Sequence, residues 1–461
     1  MKTQSERLGS EPIPKLLWRL SVPAMIGMIV MALYNVVDTI FIARGVGIIG
    51  VAGVSISFPV MMIMMAISGA VGIGGASVIS RRLGSNRAED ANEVLGNILI
   101  MVIAVSVISF IGAFTFVEPL IRLFGATDEM LPYATDYIFP IMVGSIFFTF
   151  AFTSNNIIRS EGNARFAMIT MIVPAILNII LDPIFIFGLD MGVRGASLAT
   201  VISQASVTIL VIRYFTSGKS TLQVGLQYLR PNFRLMREVI GIGLPAFVRQ
   251  VGGSAMMIAI NAMLIRFGGQ FEVGVFGIVQ KVTMFTIMPM LGVLQGMQPI
   301  VGYNYGAQQY ARLREIIWLG LRVATVMSTI VFIVMMVIPH YFMMIFTGDE
   351  ATIETGANAL RIMYMAFIVI GAQIISGGLY QSLGLAKPAL ILSISRQVMF
   401  LIPLVLILPY IGGLGVTGVW LAFPIADGLA FILTVVLLYR DRHLFFKKGE
   451  DDGVYQEVPQ S

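Results

Sequence analysis

The chain has 461 residues, is 57% hydrophobic and only 12% charged, and has a mean hydropathy of +0.88. Soluble domains carry about a quarter of charged residues, so this composition points to an all-α polytopic membrane protein and excludes a soluble fold; long apolar runs between short polar breaks exclude a membrane barrel. The absence of cysteine excludes disulfides, iron–sulfur clusters, thiolate zinc sites and cysteine nucleophiles, and the net charge of +5 does not point to nucleic acid, because the basic residues sit in loops beside apolar spans.

Residues 1–13 are polar and lack a signal-peptide core, so the first span is expected to stay in the chain. Spans long enough to cross a bilayer are expected at 15–41, 48–80, 93–117, 131–157, 164–188 and 193–215. After a polar, basic stretch come 237–265, 272–302, 316–339, 356–383, 388–410 and 415–439. Twenty-one of the 30 Lys and Arg fall on the N-terminal side of these spans and four (Arg44, Arg122, Arg194, Arg266) on the other. That asymmetry places both termini in the cytoplasm of an inner or plasma membrane. His340, at a span end, and His443, in the basic tail, read as solvated or interfacial.

The two halves repeat. Pro23 matches Pro245, Gly84 matches Gly306, Phe124 matches Phe346 and Gly162 matches Gly384, each pair 222 residues apart; Gly195 matches Gly418 at 223. Six spans are an even number, so the copies share one orientation. Twelve transmembrane helices are therefore expected in two six-helix lobes, related by a pseudo-twofold axis along the membrane normal. The lobes are residues 1–215 and 237–440, joined by a cytoplasmic linker, 216–236, and followed by a flexible charged tail, 441–461.

Two carboxylates lie deep in first-half spans: Asp38 in MALYNVVDTIFIA and Asp182 in LNIILDPIFIFGL. Acids inside a membrane are costly and are by default functional. Tyr34 shares a helix face with Asp38, and Asn178 with Asp182, each four residues apart; Asn35 follows Tyr34. Thr200 offers a hydroxyl at similar depth, and Tyr137 and Asn155 are placed to complete a polar pocket. Pro183 favours a kink that frees the carbonyl of Ile179. Two carboxylates in one pocket hold a proton or a cation between them, and these oxygens suit Na+ and H+ alike. The repeat places Ile260, Phe400 and Leu404 at the positions of Asp38, Asn178 and Asp182, so the ion chemistry is lodged in the first lobe. The second lobe carries Arg249, Gln250, Lys281, Arg396 and Asp427, among which an ion pair of Asp427 with one of the cations is expected. The glycine run GAVGIGG reads as close helix packing, and the 30 methionines as apolar surface, some lining an adaptable pocket.

From Leu17 to Tyr439 the chain resembles the multidrug and toxic compound extrusion (MATE) family. The resemblance rests on the doubled six-span unit, LSVPAMIGMIVMALYNVVDTIFI, RSEGNARFAM, LNIILDPIF followed by GVRGASLAT, and QPIVGYNYGA. It implies efflux of amphipathic, often cationic compounds by a monomer, with no cofactor, in exchange for inward H+ or Na+. It implies an ion site at Asp38, Asn178, Asp182 and Thr200, with Tyr34, Tyr137 and Asn155 nearby, and a first span that bends at Pro23. No acid lies deep in spans 7 or 10, which is similar to the DinF-like branch and not to the NorM branch. An intramembrane aspartyl protease is excluded by the missing Gly-x-Gly-Asp element, and a channel by the lack of a filter-like repeat. A flippase of lipid-linked precursors, in the same superfamily, is the alternative.

Overall fold

The computed structural model describes residues 4–124 and 126–445; the charged tail beyond 445 lies outside them. An apolar run in a bilayer has no water to satisfy its backbone, so it closes its own hydrogen bonds as a helix, and all regular structure among the described residues is helical. The first six spans are Ile13–Gly47, Gly50–Gly84, Ala88–Thr115, the bent pair Leu131–Val143 and Ser145–Ser160, Ala164–Gly188 and Gly192–Thr216. A 74-residue helix, Phe233–Gly306, follows. Gly269 breaks it at φ 76°, as Gly47 separates the first two spans at φ 78°, one repeat period earlier. Both are left-handed positions that glycine adopts without steric cost. The ninth to twelfth spans are Tyr310–Val337, the bent pair Glu350–Met363 and Phe367–Ser382, Ala386–Tyr410 and Gly415–Arg440.

Among the described residues this makes twelve spans in two six-helix lobes. The repeat extends to irregularities: the fourth span bends by 60° and the tenth by 57°. The fifth and eleventh both widen into π-helical turns, Ile184–Gly188 and Ser395–Leu401. Between the lobes, the chain after Thr216 carries a single 3-10 turn, Leu226–Tyr228. It is strapped to the third span, where Asn92 and Asn97 accept from the backbone N–H groups of Gln223 (2.9 Å) and Asn232 (2.7 Å).

The apolar core has three parts. One, at the end that holds the N-terminus, mixes both lobes, including Leu17, Leu20, Ile79 and Leu83 with Val293, Ile300 and Val301. The second holds only second-lobe residues and the third only first-lobe residues. The lobes thus share a core at the N-terminal end and have separate cores at the other. This is the packing pattern of a V that opens away from the N-terminus. Gly74, in the glycine run, lies so close to the seventh span that a Cβ would stand 2.0 Å from the carbonyl oxygen of Val239. The small residues are there for packing.

Candidate functional site

Asp38 is 8% exposed and Asp182 fully buried. The first and fifth spans bring the two carboxyl groups close enough to act on each other. Asn178, one turn before Asp182, donates Nδ2–H to Thr200 Oγ1 at 3.3 Å, and the Thr200 hydroxyl donates to the carbonyl of Ala196 at 3.1 Å. The Tyr34 side chain also reaches Thr200. Tyr137, 4% exposed, lies among Asp38, Tyr34 and Asp182. Six of the residues expected to meet, from four spans, do meet here.

Pro183 ends the regular α-turns of the fifth span. The helix does not break; it continues after Pro183 as the wider turn Ile184–Gly188. Proline removes the donor that would bond Ile179, and the π-turn takes up the slack next to Asp182.

Four buried oxygens in this cluster meet no donor from the described residues: Asp38 Oδ1, both oxygens of Asp182 and Asn178 Oδ1. Beside them is a cavity of about 10 Å³ between Tyr34, Asn178, Thr200 and Ser203, room for one water-sized occupant. Unpaired oxygens crowded in an apolar lobe repel one another and attract a proton or a hard monovalent cation. The donor set therefore fits H+ or Na+. Among the described residues no group of three or more carboxylate, His or Cys ligands is found.

Three expected residues lie elsewhere. Asn155 donates to the carbonyl of Ala167 (2.7 Å) and to Thr170 Oγ1 (2.9 Å) and accepts from Arg159, so it belongs to an arginine cluster and not to the carboxylate pocket. Asn35 is exposed and bonds the carbonyl of Met31 on its own helix (2.8 Å). Pro23 is buried on a helix whose only non-helical residue is Gly47, so the backbone at Pro23 stays helical and Pro23 takes no part in the carboxylate pocket.

The matching place in the second lobe is apolar. Ile260 is fully buried, and Phe400 and Leu404 pack into the second-lobe core. The intramembrane pair there is Arg396 with Asp427, at 2.6 Å; Arg249 and Lys281 are exposed and form no ion pair among the described residues.

Sequence reading missed three charges at the N-terminal end. Arg159 is only 5% exposed, Glu161 is fully buried, and Glu238 pairs with both Arg81 (3.3 Å) and Arg82 (3.4 Å) of the other lobe. A signal was present: RSEG places Arg159 and Glu161 within one turn of an apolar helix end.

Doubled six-span lobes with a polar pocket between their helices define a membrane transporter. The MatE family model matches residues 23–184 and again 245–407, which are the two copies. The chain belongs to the MATE family of transporters. It is 27% identical over 433 residues to the multidrug export protein MepA of Staphylococcus aureus (strain MRSA252), a match that covers 94% of this chain and 95% of MepA. It is 64% identical to the MATE multidrug transporter DinF-BH, whose solved structure matches with a TM-score of 0.89 over 97% of this chain and all of that one. A multidrug resistance MATE transporter solved in an outward-facing conformation is 28% identical, with a TM-score of 0.90 over 96% of this chain and 99% of that one.

Proposed function

We propose that this protein is a multidrug efflux antiporter, exporting amphipathic and cationic compounds in exchange for inward H+ or Na+. One observation carries the reading: Asp38 and Asp182 lie close together, buried, in the first lobe. The relatives MepA and DinF-BH, both described as multidrug transporters, support the cargo class. With cytoplasmic termini, the V opens outward. A proton or Na+ from outside neutralises the carboxylate pair and removes the repulsion that keeps polar groups apart. The first lobe then repacks, and the cargo is displaced from the cleft. Return with a new cargo releases the ion inside. Each net charge moved inward draws about 2.3 kcal/mol per 100 mV, enough for roughly a fifty-fold gradient of a neutral cargo. The lipid-flippase alternative gains nothing from these relatives.

The test is dye efflux from proteoliposomes under a proton gradient alone, then a Na+ gradient alone, for wild type and Asp182→Asn. Transport driven by one gradient and lost in the variant names the ion. Full gradient-driven efflux in the double variant Asp38→Asn, Asp182→Asn overturns the coupling site.

A further inference from the structure

At the closed end of the V lies a second polar cavity, of about 20 Å³, between Ser77, Arg159, Gln295, Gln298 and Gln381. Ser77 and Arg159 belong to the first lobe and the glutamines to the second, so the cavity sits on the seam between them. Its one charge is a cation. Arg159, 5% exposed, gives its terminal nitrogens to the amide oxygens of Asn155 and Gln295, both neutral, and its Nε meets no acceptor. Gln381 Nε2, from the opposite lobe, is likewise without an acceptor.

The nearby acids are committed elsewhere. Glu161, two residues along, accepts from Ser220 and from the Thr221 N–H at 2.7 Å, and Glu238 takes Arg81 and Arg82. Arg159 forms no ion pair among the described residues. A buried guanidinium without a counter-charge is a strongly unfavourable arrangement. Water in the cavity supplies an acceptor but leaves the charge uncompensated. A halide fits a space of this size, and the unpaired N–H groups of Arg159 Nε and Gln381 Nε2 are the donors left to hold it.

We propose that this cavity binds a small monovalent anion of halide size, held between Arg159 of one lobe and Gln381 of the other, and that the anion keeps the seam closed. It differs from the carboxylate pocket in sign, place and role: it stabilises the outward-opening state and moves no cargo.

The test uses the full chain in detergent, with wild type, Arg159→Gln and Gln381→Leu. Bromide-soaked crystals of wild type are expected to show an anomalous peak between Arg159 and Gln381, absent in Gln381→Leu. Spin labels on cysteines introduced at exposed Asn86 and Gln308 report closure, since the chain has no native cysteine. At a chloride concentration about twice its dissociation constant, the ratio of closed to open molecules rises about threefold over gluconate at equal ionic strength. That rise is lost in Gln381→Leu, which keeps the proposal testable should Arg159→Gln fail to fold. No bromide peak, or equal closure in chloride and gluconate, overturns the proposal in favour of water alone.

Discussion

Gly84 and Gly306 meet the opposite lobe's backbone in the same way. A Cβ on Gly84 would stand 2.0 Å from the Tyr303 carbonyl oxygen, and one on Gly306 would stand 2.1 Å from that of Arg81. Tyr303 is Arg81 advanced by one repeat period, so the two contacts are images of each other and the pseudo-twofold axis runs between these helix ends. The relation continues along the seam. A Cβ on Gly296 would stand 2.7 Å from the backbone nitrogen of Ser21, and in the image of that contact one on Gly74 would stand 3.0 Å from the backbone nitrogen of Gly243.

Backbone atoms cannot swing aside as side chains do, so a methyl group at Gly306 must push the lobes apart. Overpacking of this kind costs about 1–3 kcal/mol. Gly306→Ala is expected to lower thermal stability in detergent and to broaden the distance between labels at positions 86 and 308. A distance distribution identical to wild type would show that the seam is not the closed gate.

Glu238 bridges the seam by charge. Its partners are one third exposed or less, so each pair contributes modestly, about 0.5–1 kcal/mol. Arg81 has a second attachment: its guanidinium fills the space that a Cβ on Gly384 would need, 2.5 Å away. Arg81→Ala is therefore expected to open the seam more than Arg82→Ala, and Glu238→Gln to fall between them. Equal effects in the same label measurement would reduce Arg81 to a simple surface charge.

The sequence revealed the repeat, the twelve spans and the paired carboxylates, because each leaves a pattern in one dimension. Apolar length marks a span, and the expected limits differ from the observed ends by at most six residues. A charge deep in an apolar run marks Asp38 and Asp182. What stayed hidden depends on lateral contact. Asn155 has the right depth for the carboxylate pocket, but its helix face turns it to Arg159. Arg159 and Glu161 lie past 157, the expected end of the fourth span, and packing against the second lobe and the linker buries them. Glu238 sat at a span edge, and its meaning came from two arginines about 156 residues earlier.

The pair of Arg396 and Asp427 separates structure from transport. The Asp427 side chain is 3% exposed and that of Arg396 29%, so the carboxylate is the more costly group to strand. Arg396→Met is expected to destabilise the protein by roughly 3 kcal/mol, and more than Asp427→Asn does, because removing one partner of a buried pair leaves the other charge uncompensated and Asp427 is the more deeply buried. The double variant is expected to recover most of the loss in thermal stability and to keep dye efflux. A stable double variant that no longer transports would give the pair a place in the transport cycle.

Glu161 makes the N-terminal end sensitive to pH. Burial pushes its carboxyl up from 4.5 to about 7, against the opposing pull of the Thr221 N–H and the Ser220 and Tyr214 hydroxyls. The folded protein therefore holds this proton more tightly than the unfolded chain does. Its stabilising contribution is complete below pH 4.5 and is lost as pH rises to about 7. Glu161→Gln keeps the shape without the titration. Its unfolding midpoint is expected to fall less than that of wild type over that window, a difference of at most about 3 kcal/mol. Because Asp38 and Asp182 are present in both proteins, the difference between the two curves isolates Glu161. Parallel curves would mean that the carboxylate is ionised throughout, with its donors from the linker outweighing its burial.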